Sequence, residues 1–279
     1  MKIAYGVAEA IGYREQMEDA SAIWEIDEGG LFAAEVYDGH SGKAAALAAA
    51  KMMTPCLRSL LRRATEKGEG PPSLSSLVRE AYLVTDAAIV ESGLEEGAAA
   101  ATLHILGERF VAANAGDTRV IMGKGEGWVQ LTLDHKPDVP EERMRIERLG
   151  GSVIVWGVPR VQGILAMSRA LGDPSLKPFV TSEPRVTEGL LGKENDVAVI
   201  ACDGVWDVLK PGEVIVLARR EPDPRKAAET IVARALEAGT TDNVTVVVLD
   251  LKGYTATFPR EQMQVLSVLD QASGGDDGP

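Results

Sequence analysis

Residues 31–42 read L-F-A-A-E-V-Y-D-G-H-S-G, an apolar run that ends abruptly in an acid, a glycine and a histidine before an alanine-rich segment begins. This order is typical of a buried strand that delivers polar groups at its end. Asp38 has no structural reason to close an apolar run. Gly39 permits a sharp turn or a close approach to a ligand, and His40 can exchange a proton near neutral pH. The stretch therefore predicts a functional site where this strand ends.

The rest of the sequence alternates runs of short strands with pairs of helices. Strands are predicted at 2–10, 20–25, 31–37, 99–106, 109–115, 119–123, 128–131, 197–202 and 244–251. Helices are predicted at 41–63 with Ser41 as N-cap, at 73–92, 138–149 and 211–219, and after Asp223. Because these elements do not follow a strict β-α-β order, the sequence predicts the α+β class. The expected architecture is a four-layer α-β-β-α sandwich, with two mainly antiparallel sheets flanked by helices.

Composition and charge narrow the class of protein. The chain has 279 residues, 45% of them apolar, which is enough for one large domain or two small ones. With 29 basic and 42 acidic residues, the net charge is −13, so the chain repels polyanions and no nucleic-acid partner is expected. The sequence has no apolar run of about 18 residues, so no membrane span is expected.

The N-terminus and the cysteines bear on the location of the protein. The first residues, M-K-I-A-Y-G-V-A, alternate like a strand and lack the long apolar region of a signal peptide. The two cysteines, Cys56 and Cys202, cannot form a disulfide framework. A reduced, cytoplasmic protein is therefore expected, and a monomer. Cys202 is expected to be a core residue that points away from neighbouring Asp203, because side chains alternate along a strand.

Several acids lie where predicted strands end or turns begin: Glu18, Asp19, Asp38, Asp117, Asp203 and Asp242. Any one of them, taken alone, is most often a turn former. Asp203 is different because it follows the core strand V-A-V-I-A-C, and burying a carboxylate costs several kcal/mol without compensation. Two carboxylates about 4 Å apart repel by roughly 4 kcal/mol at an effective dielectric constant of 20. If these acids meet, cations must resolve the repulsion, and a site made only of oxygen ligands favours Mg²⁺ or Mn²⁺ over zinc.

Seven motifs now point to a family. They are R-E-Q-M-E-D at 14–19, V-Y-D-G-H-S-G at 36–42, N-A-G-D-T-R at 114–119, L-T-L-D-H-K-P at 131–137, L-A-M-S-R-A-L-G-D at 165–173, A-C-D-G-V-W-D-V-L at 201–209 and T-D-N-V-T at 241–245. In these motifs and in their order the chain resembles the metal-dependent, type 2C, serine/threonine protein phosphatases, over about residues 5–250. The predicted domains are a phosphatase catalytic domain at 1–252 and a partly disordered C-terminal tail at 253–279.

The resemblance implies metal ligands at matching positions. Asp38 is expected to bridge two Mg²⁺ or Mn²⁺ ions, and Asp203 and Asp242 to complete the shell of one of them. Glu18, largely through water, and the Gly39 carbonyl would hold the other ion. Asp117 is expected to bind a third, weaker ion together with Asp203.

The resemblance also implies the reaction. Arg14 would pair with the substrate phosphate, and His40 would be the general acid that protonates the leaving serine or threonine oxygen. Water activated at the metal pair would attack phosphorus in line, without a phospho-enzyme. For these two residues the plainer interpretations are a solvated loop arginine and a histidine with a local hydrogen bond.

The expected function is hydrolysis of phosphoserine and phosphothreonine in phosphoproteins, opposing protein kinases in an intracellular signalling circuit. Two alternatives share the same fold and site residues. One is a non-catalytic module that binds a phosphoprotein, and the other is a phosphatase of small molecules.

Overall fold

In a computed structural model that describes residues 3–26, 30–66 and 73–254, two antiparallel sheets pack face to face and helices cover their outer faces. The elements in chain order are β1 Ala4–Ala10, β2 Ala20–Ile26, β3 Leu31–His40, α1 Ala44–Glu66, α2 Leu74–Glu91, β4 Gly97–Leu106, β5 Arg109–Ala115, β6 Arg119–Lys124, β7 Gly127–Gln130, α3 Pro140–Arg148, β8 Val153–Trp156, β9 Val158–Val161, β10 Leu171–Gly172, β11 Arg185–Leu190, β12 Val197–Ala201, α4 Asp203–Trp206, α5 Pro211–Arg220, α6 Pro224–Glu237 and β13 Val244–Asp250.

The two sheets have simple strand orders. One sheet runs β1-β13-β12-β6-β7, and the other runs β11-β5-β4-β3-β2 with the short β10 paired to β4. The strands β8 and β9 form a separate hairpin. All neighbours in the two large sheets pair antiparallel, which confirms the predicted α+β sandwich.

Alternation along β3 divides the core into layers. Phe32, Ala34 and Val36 pack between the two sheets, whereas Leu31 and Tyr37 pack beneath α1 and α2. A third cluster lies beneath α5 and α6 on the opposite face of the other sheet. Successive side chains of a strand point to opposite faces, so a strand buried on both faces reads as the continuous apolar run seen in the sequence.

Two local predictions around β3 are wrong. The strand does not end at Tyr37 but continues to His40, because Asp38, Gly39 and His40 still pair with β4. Ser41 is not the N-cap of α1: it has a φ of 62°, and the helix begins only at Ala44. The first amides of α1 instead donate to the carboxylate of Glu96, at 2.5 Å from Ala44 and 3.3 Å from Ala45. A carboxylate from another part of the chain is favoured there by the partial positive charge of a helix N-terminus.

The domain boundary remains a prediction. Tyr254, just inside the predicted tail, packs against the inter-sheet core and donates its hydroxyl to the Gly107 carbonyl oxygen at 3.2 Å. The predicted partial disorder of the tail concerns residues 255–279, which lie outside the described residues. Within the described ranges, no helix is both long and apolar enough to cross a membrane.

Candidate active site

Acidic residues from distant parts of the chain meet at one end of the sandwich. Asp38 lies near the end of β3, and Asp19 directly precedes the neighbouring β2. Asp117 lies in the turn between β5 and β6, Asp203 starts α4 after β12, and Asp242 precedes β13. Within each sheet the antiparallel order brings these strand ends to one end of the sheet, and the acids from the two sheets meet there.

The acids form two groups that share Asp38. In one group, ligand atoms of Asp38, Asp117 and Asp203 all lie within 4.8 Å of one another. In the other, Asp19 and Cys202 lie equally close to Asp38. Two buried oxygens, Asp117 Oδ1 and Asp19 Oδ2, have no hydrogen-bond partner among the described residues. An unpartnered buried carboxylate oxygen is costly, so both atoms indicate a ligand that the polypeptide does not supply.

Burial and mutual repulsion raise the pKa values of this cluster. Burial, followed by the charge of Asp203, raises the pKa of Asp38 well above its ordinary value. Burial and then Asp117 raise the pKa of Asp203 to about 7. Burial raises the pKa of Asp19 to about 6, although the neighbouring side chains of Thr245 and Cys202 oppose the rise. Ionised, these groups need a cation, and converging carboxylate oxygens suit a hard divalent ion. The residues present therefore fit the expected metal.

Two basic side chains border the cluster. Lys136 donates a hydrogen bond to Asp117 Oδ2. Burial lowers the pKa of Lys136, but the charge and hydrogen bond of Asp117 outweigh it, so the pKa is raised. Arg14 donates to Asp242 Oδ2 at 2.6 Å, and its side chain is about half exposed. Arg14 and Asp242 are thus brought together at the rim, outside the two tight groups. An exposed guanidinium with further donors can bind a phosphate oxygen from solution.

Glu18 and Gly39 meet through their backbones. A Cβ atom on Gly39 would lie 2.4 Å from the Glu18 carbonyl oxygen, so only glycine fits at this position. The Glu18 amide donates to the Asn243 side chain at 2.8 Å, which ties the loop to the residue that follows Asp242. The proposed metal roles of Glu18 and Gly39 remain predictions.

His40 has a partner that the sequence did not reveal. Its Nε2 lies 2.9 Å and 2.8 Å from the two carboxylate oxygens of Asp173, a residue 133 positions away in the chain. Its Nδ1 is buried and has no hydrogen-bond partner among the described residues. The motif ending in Asp173 is visible in the sequence, but the contact depends on a strand pairing that the sequence does not show.

Asp19 and Cys202 both lie against Asp38. Asp19, predicted only as a strand-end acid, is more buried than Glu18 and joins the cluster. The prediction that Cys202 is a core residue is confirmed, because its side chain is fully buried. Its orientation away from Asp203 remains a prediction.

Comparison with known proteins decides the family. The sequence model of the protein phosphatase 2C family matches residues 3–244, nearly the whole described chain. The chain belongs to the protein phosphatase 2C family. The prediction of an enzyme of this phosphatase class is therefore confirmed at the level of the family.

The sequences of relatives in the family align with most of this chain. Probable protein phosphatase 2C 45 of Oryza sativa subsp. japonica is 35% identical over 255 residues, covering 89% of this chain and 87% of the relative. Probable protein phosphatase 2C 71 of Arabidopsis thaliana is 34% identical over 256 residues, but the chain spans only 55% of that relative's length. A rice relative with 35% identity, over 89% of this chain and 68% of the relative, is named as mitochondrial, and the cytoplasmic location predicted here remains a prediction.

Two solved structures share the fold of this chain. A sex determining protein of C. elegans superposes with a TM-score of 0.82 at 25% identity, covering 96% of this chain and 68% of that one. A serine-threonine phosphatase 2C of Toxoplasma gondii superposes with a TM-score of 0.80 at 23% identity, over 89% and 94% of the two chains. The two-sheet sandwich is therefore the fold of the family.

Proposed function

We propose that this protein hydrolyses phosphoserine and phosphothreonine in phosphoproteins, using two Mg²⁺ or Mn²⁺ ions held by its acidic cluster. The observation that carries the proposal is the close approach of Asp38, Asp117 and Asp203, with one Asp117 oxygen buried and unpartnered. A protein that did not bind cations here would bear the repulsion of these carboxylates without compensation. The names of the relatives support a phosphatase rather than another metal enzyme.

Different residues of the cluster would bind the different ions. Asp38 would hold ions on both sides, and it is the residue that the two close groups of ligand atoms share. Asp203 and Asp242 would complete one shell and Glu18 with Gly39 the other, while Asp117 with Asp203 could hold a third ion. When bound, the cations supply Lewis acidity that activates water and neutralises phosphate oxygens.

Two further side chains would act on the substrate. Arg14, exposed at the rim, would bind phosphate oxygens and orient the ester. Water attacks phosphorus, the bond from phosphorus to the serine or threonine oxygen breaks, and His40 donates a proton to that oxygen. The products are inorganic phosphate and the free hydroxyl side chain.

The experiment measures phosphate release from a phosphothreonine peptide with Mn²⁺, with Mg²⁺, and with EDTA. We expect metal-dependent turnover that EDTA abolishes, and loss of most activity in Asp38→Ala and Asp203→Ala. The matched control is Glu188→Gln, which removes an exposed acid on β11, away from the cluster, and should retain wild-type activity.

Each contrary outcome has a defined meaning. Full activity in either aspartate variant would refute the ligand assignment. Binding of the phosphopeptide without turnover, in every metal tested, would replace the enzyme by a binding module. Faster turnover of a sugar phosphate than of the peptide would identify a small-molecule phosphatase.

A further inference from the structure

We infer that Asp173 is a positioning residue for His40: it accepts a hydrogen bond from Nε2 and fixes the orientation of the imidazole ring, which leaves Nδ1 as the nitrogen that would donate its proton to the leaving oxygen. This inference rests on the proposed function for the role of His40. It adds to that function a residue 133 positions away in the chain, which would act through His40 and not on the substrate itself.

The contact between the two side chains is close and sheltered. Both carboxylate oxygens of Asp173 lie within 2.9 Å of His40 Nε2, and the side chains are only 7% and 18% exposed. A hydrogen bond to a carboxylate fixes the orientation and the tautomer of an imidazole ring. Since Nε2 is engaged and Nδ1 has no partner among the described residues, Asp173 is the group that holds the ring.

Three strands bring Asp173 to His40. The short β10 pairs with the start of β4, placing Gly172 opposite Gly97, and His40 at the end of β3 is the other partner of Gly97. A Cβ atom on Gly97 would lie 2.1 Å from Asp173 Oδ2 and 2.4 Å from His40 Nε2. The missing side chain of Gly97 is therefore what lets the two groups meet across β4.

The backbone of Asp173 is held in an uncommon conformation for this contact. Its φ and ψ are both 52°, in the left-handed region that Asp and Asn tolerate better than most residues. Its amide donates to the Glu96 carbonyl oxygen at 3.1 Å, and the Glu96 carboxylate caps α1, just beyond His40. The position is thus tied at both its backbone and its side chain.

The test compares two substrates that differ in their need for a proton. The leaving group of a phosphothreonine peptide is an alkoxide that must be protonated. The leaving group of p-nitrophenyl phosphate is a phenolate that is stable without a proton. We expect Asp173→Asn, which keeps the left-handed backbone, to lower kcat for the peptide about 10–100-fold while kcat for p-nitrophenyl phosphate falls less than about threefold. Asp173→Gly, which tolerates the same backbone without a side chain, should show the same split.

A matched control separates positioning from loosening of the loop. Asp86 on α2 anchors the same segment through the Gly172 amide, Lys177 and Ser182, and among the described residues it has no hydrogen bond or ion pair with His40. Asp86→Asn should change both substrates by the same factor. In the double variant His40→Ala, Asp173→Asn, peptide turnover should equal that of His40→Ala alone, because both changes remove one function.

A spectroscopic readout checks the contact without turnover. The sequence has three histidines, so ¹⁵N spectra of the imidazole rings can be assigned with His40→Gln. In the wild-type protein Nε2 of His40 should carry a proton, and Asp173→Asn should shift the His40 signals while leaving His104 and His135 unchanged.

The outcomes are distinguishable from failure of the proposed function. If the wild-type protein turns over neither substrate, the proposed function fails, and the spectra still test the contact. If it is active but Asp173→Asn slows both substrates equally or leaves the His40 signals in place, the positioning role is refuted.

Discussion

Each face of β3 carries a carboxylate shielded from solvent, Glu35 fully and Asp38 in part, and the two have opposite kinds of neighbour. Glu35, on the face toward α1, has no exposed surface and accepts hydrogen bonds from the hydroxyls of Tyr37, at 3.0 Å, and Thr54. His104 Nε2 lies 3.8 Å from it. Asp38, on the face toward the other sheet, is surrounded by further carboxylates. Hydroxyl groups donate hydrogen bonds to Glu35, whereas in the described part of the chain no side chain donates one to Asp38.

This difference distinguishes a structural carboxylate, Glu35, from a functional one, Asp38, on the same strand. A buried carboxylate that protein hydroxyls satisfy stabilises one packing arrangement. A buried carboxylate among like charges destabilises the polypeptide until something external neutralises it. Burial alone therefore does not identify a functional acid, but the kind of neighbour does.

The largest expected effect is a loss of activity when Asp38, the acid among like charges, is substituted. Asp38→Asn should lower kcat by about 10³-fold at saturating Mn²⁺, since about 4 kcal/mol of transition-state stabilisation is lost. The same variant should unfold at a higher urea concentration than wild type in EDTA, because one repelling charge is gone. Activity within about tenfold of wild type, or lower stability in EDTA, would contradict the assignment of Asp38 as a metal ligand.

The next largest effect is on stability and concerns Glu35. Thr54→Val removes the hydroxyl that donates to the buried Glu35 carboxylate and should lower the free energy of unfolding by about 1–3 kcal/mol in urea titrations. Thr54→Ser, which keeps the hydroxyl, is the control and should lose less. Turnover per folded molecule should stay near wild type in both. A loss of turnover without a loss of stability would show that this face also serves catalysis.

The smallest expected effect is a dependence of the free energy of unfolding on pH, caused by the acids around Asp38. Folding raises the pKa of Asp19 to about 6 and that of Asp203 to about 7 from an ordinary 3.8, so these groups bind protons more tightly in the folded state. Their contribution is fully present below about pH 4 and is lost as pH rises through 6 to 7, on the order of 1 kcal/mol per pH unit.

We therefore expect the free energy of unfolding in EDTA to fall between about pH 4 and about pH 7, and added Mn²⁺ to restore it. Urea titrations at several pH values check this, with Asp203→Asn expected to flatten the slope. A metal-free protein whose stability rose across this range would show that the acids do not repel one another in the folded state.

The sequence predicted the fold and the acids at strand ends because both depend on local patterns. An apolar run broken by Asp38, and a second one followed by Asp203, are visible without a structure. The family resemblance added the order of the motifs. What pattern alone could not show was contact between distant segments: the Asp173 carboxylate on His40, or the Glu96 carboxylate on the first turn of α1.

The error at the start of α1 has the same origin. Ser41 is a residue type that often caps helices, but the first amides of α1 donate to the carboxylate of Glu96, from another part of the chain. A tertiary contact therefore overrode a local preference.

The pairing of β3 on both of its edges has a consequence for how preparations of this protein can be judged. It is hydrogen-bonded to β2 and to β4 in one register, with Ala20 opposite Tyr37 and Ala99 opposite Asp38. A slip by one residue would exchange its two faces, sending Asp38 under the helices and Glu35 into the space between the sheets. A misregistered yet compact population would therefore be inert, so specific activity should report the correctly folded fraction of a sample.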